Sequence, residues 1–122
     1  MLEETLVLFR NIRTPGYDGT LDSYRKAGGY QSLPKALTMQ SEEVIALVKE
    51  AGLRGRGGAG FPTGLKWSFM AKNTGKPSYL VCNADESEPG TCKDRELMLK
   101  DPHLFLEGMM IGCYALGCHH GY

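Results

Sequence analysis

Several things are missing from this sequence, and each absence closes off a class of explanation. There is no charge excess: fourteen basic and fourteen acidic residues cancel to a formal net charge of zero. No global field therefore directs the chain to nucleic acid or to an anionic membrane. No apolar run is long enough to span a bilayer. The most apolar stretch, residues 104–118, is broken by Glu107 and three glycines and falls short of the roughly 20 residues that a spanning helix needs. The opening Met-Leu-Glu-Glu lacks the basic and apolar regions of a signal peptide, so a cytoplasmic location is expected. The four cysteines, Cys82, Cys92, Cys113 and Cys118, form no C-x-x-C pair, and without an export signal they do not read as a disulfide framework. Cys113, Cys118, His119 and His120 lie close together, but zinc sites repeat tighter spacings. The expectation is a cysteine inside a buried helix with the histidines in a turn.

What is present is ordinary except in one respect. With 42% hydrophobic and 23% charged residues, the chain reads as a soluble globular protein, and its 122 residues amount to one domain at most. Glycine is the excess. There are 16, roughly twice the usual 7%, and Gly52, Gly55, Gly57, Gly58, Gly60 and Gly64 crowd into thirteen positions.

Periodicity organises the rest. Residues 1–19 have no sustained period and are expected to form an N-terminal arm on a partner or on the domain surface, with residues 20–122 forming the domain portion. Thr20 offers an N-cap for a short helix to Ala27, stopped by Gly28-Gly29, with Tyr24 and Tyr30 packing inward. A second short helix is predicted over 33–37. Ser41 is expected to cap a helix whose stripe is Val44, Leu47, Val48 and Ala51, closed by Gly52. Residues 62–70 read as a turn of helix, 78–82 as a buried strand, and 94–99 as another short helix. Asp101 and Pro102 suit the N-cap and first position of a last helix, apolar on nearly all sides. A domain with one strand and several helices is expected to lack its next strand, so the fold class is an incomplete, Rossmann-like α/β fragment.

Two constellations carry chemistry. Gly55-Arg56-Gly57-Gly58-Ala59-Gly60 satisfies G-x-G-x-x-G, but a helix precedes it where a dinucleotide fingerprint requires a strand. What remains is the physics of a loop without side-chain bulk: amides converge on an anion, or a flat ring approaches the main chain. Arg54, Arg56 and Lys66 add positive charge on its flanks. Asn83-Ala84-Asp85-Glu86-Ser87-Glu88 follows the predicted strand, where α/β ligands collect. Its amide and carboxylates suit a heteroaromatic edge or sugar hydroxyls; a hard cation is the other chemistry that such oxygens serve. A glycine-rich turn and an acidic solvated turn are the alternatives in which neither loop binds anything.

Residues 54–69, Arg-Gly-Arg-Gly-Gly-Ala-Gly-Phe-Pro-Thr-Gly-Leu-Lys-Trp-Ser-Phe, and 79–90, Tyr-Leu-Val-Cys-Asn-Ala-Asp-Glu-Ser-Glu-Pro-Gly, together resemble the N-terminal signatures of the flavoprotein subunit of respiratory NADH:quinone oxidoreductase (complex I). The Lys93-Asp94-Arg95 and Asp101-Pro102-His103-Leu104 segments agree, and the resemblance runs from about 21 to 117. It implies FMN and NAD(H) as cofactors and hydride transfer from NADH to the flavin. It implies electron exit through a 4Fe–4S cluster whose ligands are absent from this chain. By position, Gly55, Arg56, Gly57 and Lys66 would cradle FMN, with Lys66 at its phosphate, and Asn83, Asp85, Glu86 and Ser87 would meet the flavin ring and ribityl chain. Gly58, Gly60, Phe61, Phe69 and Glu88 would face NADH, the Glu88 carboxylate repelling the extra phosphate of NADPH. No catalytic side chain and no metal ligand is assigned, because the chemistry belongs to the cofactor.

The resemblance also implies partners: the other peripheral-arm subunits, above all the 2Fe–2S subunit, at the inner membrane without insertion into it and without nucleic acid. A chain holding half a flavin site is expected to bind FMN weakly and to be inactive alone. The alternatives are a non-catalytic truncated fragment, an interaction module, or the equivalent subunit of an NAD-linked hydrogenase or formate dehydrogenase.

Overall fold

The computed structural model describes residues 5–56, 58–71 and 74–122. Among them are six helices, α1 (Leu21–Lys26), α2 (Ser32–Leu37), α3 (Ser41–Glu50), α4 (Thr63–Ser68), α5 (Lys93–Lys100) and α6 (Pro102–Leu116), and two strands, β1 (Tyr79–Leu80) and β2 (His120–Gly121). The architecture is α/β: a helix-rich fragment with a small, open parallel sheet. The chain divides into two compact units, one holding the residues up to Ser32 with Asn83–Gly108, the other Leu33–Cys82 with Met109–Tyr122.

The first unit has a polar interior. Thr20 caps α1 as its sequence predicts, its hydroxyl accepting the Ser23 amide at 3.2 Å, and α1 delivers Tyr24 inward at 2% exposure. The Tyr24 hydroxyl donates to Glu107 at 2.5 Å, and the same carboxylate accepts the Tyr30 amide at 2.8 Å and the Ser32 amide at 3.1 Å. Asp101, 1% exposed, accepts from the Asn11 side-chain amide at 2.8 Å and the Tyr17 hydroxyl at 2.5 Å. Asp101 stands directly before α6, yet its carboxylate bonds reach back to residues 11 and 17. Burial, and then the hydrogen bond to a carboxylate, push the Tyr17 and Tyr24 phenols well above the ordinary tyrosine range, because both disfavour a second negative charge.

The second unit is held by apolar packing. Ala36, Val44, Ile45 and Ala115 form its core, with Met39, Trp67, Ile111 and Tyr114 packed against it. The Tyr114 hydroxyl donates to the Met39 carbonyl at 2.5 Å. A side chain at Gly64 would begin 2.4 Å from the Lys49 backbone nitrogen, so α4 lies against α3 at a distance only glycine permits. The Cys118 amide donates back to the Cys113 carbonyl at 2.8 Å as α6 ends, and burial pushes the Cys118 thiol up.

Several sequence expectations change. The cap of α3 is Gln40, whose backbone is extended and whose amide donates to Glu43 at 2.7 Å; Ser41 is the first helical residue, its hydroxyl turned to Glu42. The buried arc of α3 centres on Val44 and Ile45, while Leu47 is 47% exposed, because the contact of Gly64 with Lys49 turns the covered side away from Leu47. The strand over 78–82 shortens to β1 and is not buried: Val81 is 72% exposed. The next strand, expected to be lacking, is present: β2 follows α6 and pairs parallel with β1, Tyr79 opposite His120 and Leu80 opposite Gly121, so His120 lies in a strand and not in a turn. Finally, α6 keeps an uncovered stripe through Leu106 and Met110, at 44% and 40% exposure. Their spacing of four places them one helical turn apart on a single face.

Candidate functional site

The glycine-rich loop belongs to the second unit. Its base is clasped by an antiparallel bridge between Arg54 and Pro62. The Gly55 amide donates to the Phe61 carbonyl at 3.0 Å, and the Thr63 amide to the Leu53 carbonyl at 2.8 Å. The Arg54 guanidinium spans the loop to the Gly60 carbonyl at 3.2 Å. Pinned at both ends, the loop then runs directly into α4, which carries Lys66 in its last turn. Where a side chain would begin at Gly58 and Gly60 there is open space, and Arg56 and Lys66 are exposed. Phe61 and Phe69 flank α4, 48% and 66% exposed, with ring centroids 6.4 Å apart. The predicted positions Gly55, Arg56, Gly58, Gly60, Phe61 and Lys66 therefore lie on one short loop–helix segment, and Phe69 closes it. Gly57 lies outside the described residues.

The acidic loop belongs to the first unit and is built from its own side chains. The Asn83 carboxamide oxygen accepts the Asp85 amide at 2.9 Å, a local turn that competes with strand continuation. The Ser87 hydroxyl donates to Asp85 at 2.6 Å. Glu86 reaches forward: one carboxylate oxygen accepts the Asp94 amide at 2.7 Å and the other the Arg95 amide at 3.2 Å. Thr91 closes the loop, its amide and hydroxyl both donating to the Glu88 carbonyl, at 3.1 and 2.6 Å. Glu88 itself is exposed. Sequence reasoning did not anticipate the parts played by Gly64, Arg54 and Thr91. Gly64 carried a signal as the last of the clustered glycines, whereas nothing in the pattern pointed to Thr91.

Among the described residues no group of histidine, cysteine or acidic side chains could hold a metal ion, and no helix is long and apolar enough to cross a membrane.

The family model of the Nuo51 FMN-binding domain matches residues 48–122, which takes in both loops. The chain belongs to this family. Among its relatives, the F subunit of NADH-quinone oxidoreductase in Streptomyces coelicolor is 59% identical over 103 residues, covering 84% of this chain and 23% of the relative. A second F-type subunit of the same enzyme, in Rhizobium meliloti, is 55% identical over 118 residues, 95% of this chain and 28% of that one. The Aquifex aeolicus counterpart is 57% identical over 103 residues, 84% and 24% of the two chains. The chain thus spans about a quarter of the length of these relatives. Among solved structures, an NAD+-reducing NiFe-hydrogenase in the air-oxidized state superposes with a TM-score of 0.69 at 39% identity, over 84% of this chain and 18% of that one.

Proposed function

We propose that this chain serves the NADH-oxidising flavoprotein module of an NADH:quinone oxidoreductase, with the glycine loop and Lys66 holding FMN at its phosphate end. The observation that carries this reading is the clasped loop: a backbone path pinned at Arg54 and Pro62, open at Gly58 and Gly60, with the cations of Arg56 and Lys66 on the same segment. These residues fit the cofactor. An open glycine backbone admits a planar or anionic group, and an ammonium answers a phosphate as a charge-assisted donor. When bound, FMN would supply hydride acceptance from NADH and one-electron release; Gly55, Arg56, Gly57 and Lys66 would supply its position and field.

By the same resemblance, Gly55 and Gly57 give the main-chain approach to FMN, and Asn83, Asp85 and Ser87 serve its ring and ribityl chain, on the loop that Glu86 ties down. Gly58, Gly60, Phe61, Phe69 and Glu88 serve NADH. The partners are the other peripheral-arm subunits, foremost the one that carries the 2Fe–2S cluster, and none of the residues assigned to the flavin or to NADH is given to the family's 4Fe–4S cluster. The complex lies at the cytoplasmic face of the membrane without inserting this chain. A second reading, the equivalent subunit of an NAD-linked hydrogenase, is favoured by the likeness to the NAD+-reducing hydrogenase; it shares the flavin chemistry and differs in the electron acceptor.

The test compares two flavins. The chain is titrated with FMN and with riboflavin, which lacks the phosphate, and flavin fluorescence is followed. Lys66→Ala is expected to weaken FMN about tenfold and leave riboflavin unchanged, the loss of one charge-assisted contact. Equal loss for both flavins, or none for either, overturns the assignment of Lys66 to the phosphate.

A further inference from the structure

The three carboxylates of the acidic loop do not occupy equivalent places. Asp85 accepts from Ser87 and stands exposed, and Glu88 projects to solvent while its carbonyl is held by Thr91. Glu86 is half-buried, and both its oxygens accept backbone amides eight and nine residues further on, those of Asp94 and Arg95. These are early amides of α5 (Lys93–Lys100), which have no carbonyl partner within the helix. The residue at the cap position, Cys92, makes no side-chain cap bond, so the cap comes from a distant residue. Its charge also suits the positive end of the helix.

We infer that Glu86 is a positioning residue: it fastens the acidic loop to α5 and so fixes how Asp85, Ser87 and Glu88 are presented, rather than contacting the cofactor itself. The role in cofactor binding rests on the flavin reading above; the cap does not. A carboxylate with a main-chain donor on each oxygen has its orientation fixed and about half of its lone-pair sites taken, whereas Glu88 keeps its own for an incoming donor. The segment 87–92 is then a closed loop, tied at 86 by the side chain and at 88 by Thr91.

The test uses the full chain and two variants. Glu86→Ala removes both acceptors, and Glu86→Gln keeps one acceptor oxygen but turns an N–H₂ toward the second amide. Amide hydrogen exchange is read first, without FMN. Exchange at Asp94 and Arg95 is expected to rise about fivefold or more in Glu86→Ala, and at one of the two amides in Glu86→Gln, as for loss of a helix cap. Unchanged exchange at both amides overturns the cap.

FMN titration is read second. Both variants are expected to bind more weakly, Glu86→Ala more than Glu86→Gln, with the absorption spectrum of the bound flavin unaltered in Glu86→Gln. A shifted bound-flavin spectrum, or full FMN affinity despite faster exchange, overturns the positioning role. A wild-type chain that takes up no FMN overturns the flavin reading and the positioning role with it, and the exchange data still decide whether Glu86 caps α5.

Discussion

Where the first unit buries carboxylates, the second buries alanine, valine and isoleucine. Asp101 and Glu107 are 1% and 5% exposed, and between them they gather donors from residues 11, 17, 24, 30 and 32. Ala36, Val44, Ile45 and Ala115 gather only one another and their apolar neighbours. The difference is one of tolerance. An apolar core loses stability in proportion to the atoms removed, because its contacts are many and individually weak. A polar core loses it in steps, because each missing acceptor strands a desolvated donor.

The sharpest way to break this comparison is Glu107→Ala. It strands the Tyr24 hydroxyl and the amides of Tyr30 and Ser32 together, which is expected to cost about 3–5 kcal/mol. Ile45→Ala in the apolar unit is expected to cost about 2–3 kcal/mol, near the lower end for such truncations. Chemical denaturation of both variants measures the pair. An Ile45→Ala loss equal to or larger than that of Glu107→Ala would mean that the polar interior is hydrated and its bonds replaceable.

Gly64→Ala comes next. The new Cβ would meet the Lys49 nitrogen and Cα at 2.4 and 2.5 Å, and backbone cannot rotate away as a side-chain tip can. The expected cost is about 3 kcal/mol, the upper part of the range for overpacking. Because α4 carries Lys66 between Phe61 and Phe69, the same variant should also disturb the glycine-loop segment. Denaturation and FMN titration check the two effects separately, and a stability unchanged within 0.5 kcal/mol (roughly the noise of a neutral surface change) would show that α3 and α4 separate freely.

The two units also differ in how far their sequences announced them. In the second, the helix over 41–50, its glycine stop and the glycine loop were legible, because periodicity and punctuation are local signals. The face that α3 buries was not, since it depends on Gly64 in the following helix and is known only once α4 is placed. β2 was missed because two residues, His120 and Gly121, carry no alternation to read. In the first unit α1 and its Thr20 cap were legible, but the interior was not. Glu107 reads as an interruption in an apolar run, and only the fold places Tyr24, Tyr30 and Ser32 around it. The site followed the same rule. Its residue types were readable from the two loops, whereas the engagement of Glu86 by α5 joins positions eight and nine apart that share no periodic pattern.

The smallest expected effect concerns alkaline pH and isolates the polar unit. The Tyr24 phenol is 2% exposed and donates to Glu107, and burial, followed by that carboxylate, raises its pKa well above the ordinary value. Tyr17 beside Asp101 is raised for the same reasons. A group whose pKa is raised by folding contributes stability that is fully present below its unfolded value, near pH 10 for tyrosine. That contribution declines as pH rises beyond it, because the unfolded chain releases the proton first. Above about pH 10 the buried Tyr24 phenol should therefore remove at most about 1.4 kcal/mol per pH unit, and the half-buried Tyr17 phenol less. Tyr24→Phe cannot ionise, so its stability is expected to start lower, by the lost hydrogen bond, and to fall less steeply from pH 10 to 11. Denaturation midpoints at the two pH values, for wild type and variant, give the slopes. Parallel slopes would mean that Tyr24 ionises as readily in the folded chain as in the unfolded one, and that its bond to Glu107 is not the donor–acceptor contact on which the polar interior rests.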